Sequence, residues 1–546
     1  MAVARSVAVL VALHGLGVMP AAGQSLGLAP DRDLPGWLTR WSVLAPRADL
    51  PRYFPSASTA LPVSLFPETP IGLFWTGANP AGLAGAVERA RADLTAASAN
   101  TSGTYRRPLD PGGIALKQLS ATAWTPVSSR LSMLGRVVLD QERFDPGSRS
   151  DETEPYPSSP FVTTDSSTTP TRRTRARLEG VAGWRLGQWA LGADLGYDAR
   201  ENQTIEAGFV RRSLQAMPGL AVGVTRRLGG VQMGLTGRYR YRAETIFLTE
   251  RAAEGQVIDL HGYREVTPIS VQQSYYRRNE EGVRSAGVGL SGSLGARARW
   301  VLFGERAGLR ERRTVQQQDQ PAVDRWNADS WTVGGAYQRS LGSDSRAADA
   351  GRRWRLTVDG RYTTLAGKGD LALDSAGTVF LANERAFEGL AELRLVPAAG
   401  GWTGLVALST RLERRVRNDS VALIGSAIRT GSVGFSLELG RAVSRTVTVI
   451  GTAALVSQAS VATIPNPLVQ RAVYRRLLAP ELDFSARDVA PLAFGGLIRW
   501  EASRHTGLWL GVRTETVSPR GATGPTGFSP NGTRSVTSVV FGVVQR

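Results

Sequence analysis

The sequence lacks cysteine altogether and contains only three histidines among its 546 residues. Without cysteine the chain can form no disulfide and cannot carry a lipid on an N-terminal cysteine. The histidines are scattered, and none stands among carboxylates at the spacing of a metal site. His261 follows Asp259, but no second acidic pair that would complete a catalytic centre is identifiable. We therefore expect no enzyme, no cofactor and no metal.

Long apolar runs are missing as well. No stretch reaches the roughly 18 residues that mark a membrane-spanning helix, although hydrophobic residues make up 42% of the chain. The charge is unbalanced, with a formal net charge of +18. Because the arginines alternate with apolar residues or lie in loops, and form no basic run with interleaved aromatics, nucleic acid is not an expected partner.

What the sequence does contain is alternation. Between Arg173 and Trp184 small or apolar residues alternate with mostly charged ones, and after a tight turn at Gly187 the alternation resumes from Trp189 to Tyr197. Successive side chains of a strand point to opposite faces, so the pattern predicts a hairpin with one apolar and one polar surface. Each arm has about eleven residues, the length that a tilted strand needs to cross a bilayer. Strands of soluble sandwiches are shorter.

The same unit recurs along the chain and predicts an all-β fold, a transmembrane antiparallel β-barrel of about 18 strands. Short and long connections are expected to alternate, as periplasmic turns and extracellular loops do in bacterial barrels. A GxGxxG pattern at 287–292 falls inside one strand, with no following helix, and so is not a dinucleotide-binding loop. The predicted strands are 90–104, 115–125, 130–143, 172–184, 188–198, 216–226, 230–244, 283–296, 298–311, 329–340, 352–364, 385–396, 402–415, 427–441, 445–457, 487–501, 505–516 and 532–545.

Tryptophans lie beside the predicted short turns, where an interfacial aromatic girdle would place them. They are Trp124, Trp184, Trp189, Trp300, Trp354, Trp402 and Trp500.

The N-terminal part divides into two segments. Residues 1–23 combine Arg5, a short apolar core and small residues before Gln24, which predicts a cleaved signal peptide. Residues 24–89 lack periodicity, are rich in proline and carry interspersed aromatics, so they are too apolar for a solvated linker. We expect them to form either a plug in the barrel mouth or an arm on its periplasmic rim. The barrel at 90–546 would then lie in an outer membrane, among its lipid and lipopolysaccharide, after insertion by the barrel assembly machinery.

A turn signal lies near the end of this segment, in the run Asn79-Pro80-Ala81-Gly82-Leu83. The motif resembles the N-terminal hatch of the long-chain fatty-acid channel family, where it also precedes the first strand. More broadly, the layout resembles an uncharacterised family of outer-membrane barrels that begin with the same motif. The resemblance implies a hatch role for these residues and a TonB-dependent receptor or a periplasmic protein as a partner. The chain does not itself fit a TonB-dependent receptor, whose strand number is larger.

Arginines recur on the expected inner face of several strands. Two interpretations remain open: they could line a pore that favours anions, or they could pair with carboxylates across the wall and hold its shape. The motif and the arginines favour a channel or transporter for a small amphiphilic or anionic solute. The alternative is a non-transporting scaffold, receptor or secretion-associated barrel that binds a ligand through its long extracellular loops. The predicted pore-lining residues are Arg175, Arg177, Arg238, Arg240, Arg355 and Arg361.

Overall fold

The structure, a computed structural model, describes residues 79–84 and most of 90–545. Within that second range its gaps are at 107, 146–160, 166–169, 205–210, 249–256, 262–263, 270–274, 296–297, 318–319, 342–352, 371–377, 397–401, 421–423, 445, 464–478, 504–505 and 521–530. The predicted signal peptide and most of the predicted hatch segment lie outside the described residues. No helix in the described part of the chain is long and apolar enough to cross a membrane.

The described residues are almost entirely β-structure. The strands are β1 (Arg91–Gly103), β2 (Ile114–Pro126), β3 (Leu131–Phe144), β4 (Phe161–Asp165), β5 (Thr171–Leu186), β6 (Trp189–Thr204), β7 (Arg211–Leu228), β8 (Val231–Leu248), β9 (Val257–His261), β10 (Arg264–Ile269), β11 (Tyr275–Leu294), β12 (Ala298–Gln317), β13 (Gln320–Leu341), β14 (Arg353–Asp370), β15 (Thr378–Val396), β16 (Trp402–Asp419), β17 (Ile424–Ala442), β18 (Val447–Thr463), β19 (Leu492–Glu501), β20 (Thr506–Val517) and β21 (Arg534–Gln545). A short helix, α1, spans Ala479–Ser485, and a 3-10 turn spans Pro80–Leu83.

Eighteen of these strands form one closed antiparallel barrel. Each pairs with its neighbour in sequence, with β3 followed by β5 and β8 by β11, and β1 closes the barrel by pairing with β21. Closure gives every strand of the barrel a neighbour on both sides. This matters in lipid, because hydrocarbon offers backbone groups no hydrogen-bond partner. The prediction of an 18-stranded barrel is confirmed.

The tightest connections use glycine in a conformation that other residues rarely adopt. Gly187 between β5 and β6 and Gly229 between β7 and β8 have φ values of +63° and +62°. This left-handed region is free of steric cost only for glycine, and hairpin turns of two residues require it. These turns define one end of the barrel, which we call the short-turn end.

Several strands extend further toward the opposite, long-loop end than the alternation predicted. β12 and β13 continue until Gln317 pairs with Gln320, so the expected long connection at 312–328 is a tight hairpin. The predicted strand ends lie where the apolar and polar residues stop alternating, because beyond the lipid the outward face of a strand turns polar. The ladder continues there, since backbone hydrogen bonds do not require an apolar side chain.

Two long connections together build a second, three-stranded sheet that the alternation did not predict. β4, from the connection between β3 and β5, pairs with β9, and β9 pairs with β10 within the connection between β8 and β11. A further correction concerns the predicted strand at 487–501. The barrel strand there begins only at Leu492, and α1 precedes it.

Candidate functional site: the interior of the barrel

The two faces of β6 are those that the alternation predicted. Leu191 and Leu195 point outward and are 43% and 62% exposed, whereas Asp194 and Asp198 point inward and are 4% and 0% exposed. Large apolar side chains are exposed on the outward face of strands all around the barrel. An exposed apolar band on a closed sheet is the surface that a lipid bilayer covers.

Most of the predicted girdle faces outward at the short-turn end. Arg226 lies 5.1 Å above the ring of Trp189, and Arg441 lies 5.4 Å above the ring of Trp402. Trp124 is the exception, because it faces the interior and packs in a buried apolar cluster. The outward girdle members with large exposure are Trp184, Trp189, Trp354, Trp402 and Trp500.

The best-defined interior ion pair joins Arg175 of β5 to Asp198 of β6. The Arg175 Nη2 donates to Asp198 Oδ2 at 2.6 Å, and its Nε donates to Oδ1 at 3.0 Å. Asp198 is fully buried and lies 3.4 Å from the Nε of Arg200. Asp140 of β3 stands 3.7 Å from Arg175. Buried charges are costly unless they are paired, so this network holds three strands of the wall together.

The other predicted arginines also occupy inner-face positions, and most have carboxylate partners. Arg355 of β14 lies in register with Arg394 of β15. These contacts match the interpretation in which the arginines hold the wall, and they neutralise much of the charge that an anion-selective pore would display. Their pore-lining role stays a prediction. The remaining pairs are Arg177–Glu179 at 3.3 Å, Arg240–Glu281 at 2.5 Å, Arg361–Glu388 at 2.7 Å, and Arg238 with Glu305.

The motif at 79–83 lies inside the barrel, against β5, β6 and β7. Asn79 caps the 3-10 turn, because its Oδ1 accepts from the backbone N–H of Ala81 at 3.0 Å. Its Nδ2 donates to the backbone carbonyls of Leu235 at 3.0 Å and Val224 at 3.3 Å. Only an amide side chain can accept on one side and donate twice on the other, so asparagine is required here rather than aspartate or serine.

Three wall glycines make room for this turn. Gly183, Gly192 and Gly223 are paired in register across β5, β6 and β7, and we call them the glycine row. A Cβ on Gly192 would stand 2.1 Å from the backbone N of Ala81, and one on Gly183 would stand 2.5 Å from the backbone N of Ala84. A side chain at Gly183 or Gly192 would therefore displace the backbone of the turn. Spacing in the sequence does not reveal the row, because its members meet only through strand pairing.

The end of the motif is held by an apolar contact and a polar one. Leu83 is fully buried and packs against Val181, with Trp124 beside them. The Nη2 of Arg185, next to the β5–β6 turn, donates to the carbonyl of Ala84 at 3.0 Å. The described part of the predicted hatch is thus seated inside the barrel, close to the short-turn end.

One sector of the inner wall is apolar. It includes β18, both of whose faces carry mostly small or apolar residues, so the alternation did not predict which face points inward. Inward side chains of β18–β21, β1 and β2 pack together, and Ile450 and Leu497 within them are only 2% exposed. The ion pairs described above lie on other strands, between β3 and β15. The interior therefore has a mainly apolar sector, which still includes the Arg513–Glu515 pair of β20 at 3.7 Å. Its ion-paired sector likewise includes a buried apolar cluster around Trp326. The apolar sector comprises Ala97, Ala99, Leu116, Ile450, Leu497, Trp509, Val540 and Val544.

At the long-loop end, α1 folds across the mouth of the apolar sector. Phe484 of α1 stacks on Tyr105 of the β1–β2 connection, with ring centroids 4.8 Å apart. β20 and β21 separate these two segments in the wall, so α1 must cross inside the ends of those strands to reach Tyr105. Inward-facing Val517 of β20 packs against the pair. Burial raises the pKa of the Tyr105 phenol, against the opposing effect of Arg487, so the hydroxyl stays protonated.

Two other sequence features are placed by the fold. His261 lies in β9 of the small sheet. The glycine pattern at 287–292 lies within β11, where Val288 is 61% exposed on the outward face, so it is strand sequence. Among the described residues, no group of three or more histidine, aspartate or glutamate side chains could hold a metal ion.

No known family model matches the sequence, and no curated protein matches it. Among solved structures, the siderophore receptor PiuA from Acinetobacter baumannii is 7% identical, with a TM-score of 0.36 over 82% of this chain and 81% of that chain. The copper transporter OprC is 10% identical, with a TM-score of 0.37 over 83% and 80% of the two chains. A Pseudomonas aeruginosa FadL homologue is 10% identical, with a TM-score of 0.31 over 85% and 91%. Similarity at this level carries no function to this chain, and the barrel is established by its own strand pairing.

Proposed function

We propose that this protein is an outer-membrane channel or transporter for a small amphiphilic solute with an apolar body and an anionic head. The proposal is carried by the division of the inner wall into an apolar sector and an ion-paired sector. An apolar body would lie along the first, where it stays out of water. A carboxylate or phosphate head would exchange onto arginines of the second. The closed barrel and its apolar outer band support placement in an outer membrane.

A solute anion would bind by replacing one carboxylate partner of an interior arginine. The arginines would not act as unpaired positive charges that attract any anion. Arg361 and Arg411, for example, both lie near Glu388, at 2.7 Å and 3.2 Å. A solute anion could replace one such carboxylate contact without leaving a buried charge unpaired, which would otherwise be costly. We therefore expect weak selectivity between small inorganic ions and stronger selection for solutes that also have an apolar part.

The motif at 79–83 would anchor the preceding segment, 24–78, inside the barrel as a plug. Its seat in the interior supports this arrangement over an arm on the periplasmic rim. The two sets of bonds made by Asn79 would keep the anchor in place while the rest of the segment moves.

The proposal is tested by solute uptake into liposomes that contain the purified full-length chain. A medium-chain alkyl carboxylate is compared with a sugar of similar size. Ile450→Asn places an amide in the apolar sector and should slow uptake of the alkyl carboxylate several-fold while leaving the sugar unaffected. The control, Thr452→Asn, changes an inward position on the same strand that is already polar. Deletion of 24–78 should raise conductance in planar bilayers if that segment is a plug.

Two results would overturn the proposal. One is a barrel that conducts neither ions nor solutes with or without residues 24–78. The other is uptake of the alkyl carboxylate that Ile450→Asn and Thr452→Asn slow equally.

A second candidate, a receptor that does not transport, is favoured by the small sheet of β4, β9 and β10. It joins two long connections into one structured platform, which a simple channel does not need. Deletion of 257–269 should abolish ligand binding in a receptor but leave conductance unchanged in a channel.

A further inference from the structure

Three arginines lie side by side on the outward face of the barrel. Arg385 of β15 pairs in register with Arg414 of β16, and Arg414 pairs with Arg429 of β17. All three side chains are exposed. Neighbouring strands are about 4.8 Å apart, so the three charges fall within roughly 10 Å. We call them the arginine trio.

Such an arrangement is unfavourable without an anion. Like charges directly opposite each other on neighbouring strands repel. None of the outward positions of β15, β16 and β17 in the described residues carries a carboxylate, and no ion pair of the trio is found there. The trio therefore differs from the interior arginines, most of which pair with Asp or Glu carboxylates. The described residues of these three strands supply no counter-charge, which leaves the trio open to an anion from the surroundings.

The position of the trio in the barrel indicates where that anion lies. The next outward row toward the short-turn end consists of Phe387, Leu412 and Gly431. On β16 the outward residues from Trp402 to Leu412 are apolar or small apart from one threonine. A strand that rises 3.3 Å per residue at the usual tilt climbs about 25 Å over this stretch, the height of a barrel's apolar band. The trio thus begins where that band ends, at headgroup level on the long-loop side.

We propose that the arginine trio binds the phosphate groups of lipid A, the anchor of lipopolysaccharide, in the outer leaflet. The inference rests on the proposed placement in an outer membrane. Arginine forks bind phosphate oxygens in pairs of hydrogen bonds, and three adjacent forks can hold two phosphates of one headgroup. The apolar row beneath the trio would contact the acyl chains of the same molecule.

The test measures lipid binding to the purified full-length chain by native mass spectrometry in detergent. Diphosphorylated lipid A, its dephosphorylated form and phosphatidylglycerol are each titrated, with inorganic phosphate as a competitor. The triple variant R385Q/R414Q/R429Q should bind diphosphorylated lipid A at least tenfold more weakly than the wild type. The matched control, R226Q/R339Q/R441Q, loses the same charge from exposed positions toward the short-turn end and should bind within twofold of the wild type.

Equal affinity of the wild type and the trio variant would overturn the inference. So would wild-type binding that is as tight for dephosphorylated lipid A or phosphatidylglycerol, or that inorganic phosphate displaces at low millimolar concentration. Conductance and solute uptake are measured on the same variants and should not change, because the trio faces lipid. Failure of the lipid site and failure of the transport function are therefore separate results.

Discussion

The Oδ1 of Asn79 occupies the space that a side chain on Gly223 would need. A Cβ built on that glycine would stand 2.0 Å from the Asn79 oxygen. The turn before the first strand and the wall of the barrel are therefore fitted to each other at atomic contact, and a change on either side should separate them.

The first prediction concerns a side chain added to the glycine row of the barrel wall. Gly192→Ala places a methyl group against the backbone of Ala81 and should unseat the turn. Because the chain has no cysteine, Leu83→Cys introduces a single thiol at a fully buried position. Its labelling by a water-soluble maleimide should accelerate at least tenfold when Gly192→Ala is added. Gly180→Ala is the control, since a Cβ there meets no atom within 4 Å. Equal labelling rates in both double variants would show that Gly192→Ala does not displace the turn from the barrel wall.

The second prediction changes the turn. Asn79→Asp keeps the acceptor for the Ala81 N–H but replaces the donor to the Leu235 and Val224 carbonyls with a carboxylate oxygen. Leaving buried carbonyls facing a carboxylate should weaken docking by about 1–3 kcal/mol. The same thiol at position 83 reports this as faster labelling. Thr104→Ala, which removes an exposed hydroxyl bond at the long-loop end, should leave the rate unchanged.

A third prediction separates buried from exposed ion pairs. Asp198→Asn removes the carboxylate that Arg175 and Arg200 share in the interior, which should cost about 3–5 kcal/mol of unfolding free energy. Asp145→Asn breaks the exposed pair with Arg143 and should cost no more than about 1 kcal/mol. Guanidinium unfolding from lipid vesicles measures both. Similar losses would mean that the interior pair is solvated.

The fourth prediction tests the facing of β14 with neighbouring residues. Val358 is 41% exposed on the outward face, and arginine there should cost about 2–4 kcal/mol if it meets lipid near the midplane. Thr357 faces inward in register with Glu392, which can pair with a new arginine, so Thr357→Arg should be tolerated. The unfolding free energies of the two variants are measured in vesicles. A larger loss for Thr357→Arg than for Val358→Arg would mean that the inward and outward faces of β14 are assigned the wrong way round.

A fifth prediction concerns the stack of Tyr105 and Phe484 at the long-loop end of the barrel. The Tyr105 hydroxyl is buried, and no hydrogen-bond partner for it is found among the described residues. Tyr105→Phe should therefore be neutral or slightly stabilising, because it removes an unsatisfied group and keeps the stack on Phe484. Tyr105→Ala should lower the unfolding free energy by about 3–5 kcal/mol. A large loss with phenylalanine would show that the hydroxyl has a partner.

The sequence by itself determined the barrel, the facing of most strands and all but one of the girdle tryptophans. Alternation is a local property, since neighbouring side chains point to opposite faces wherever a strand forms. The approximate strand number followed, because each crossing repeats the same pattern. Strand ends beyond the lipid could not be predicted in this way, since the outward face of β12 and β13 turns mostly polar there and the inward face mixes charged residues with the buried Trp326, so that the alternation is lost.

Contacts between strands were decided only by the tertiary structure. Alternation placed Arg175 and Arg361 on the inner face but could not say whether they were free or paired, because their partners Asp198 and Glu388 depend on the register of the next strand. The glycine row, the apolar sector and the arginine trio likewise exist only after strands pair. A local pattern fixes which way a side chain points, whereas pairing across the barrel fixes what it meets.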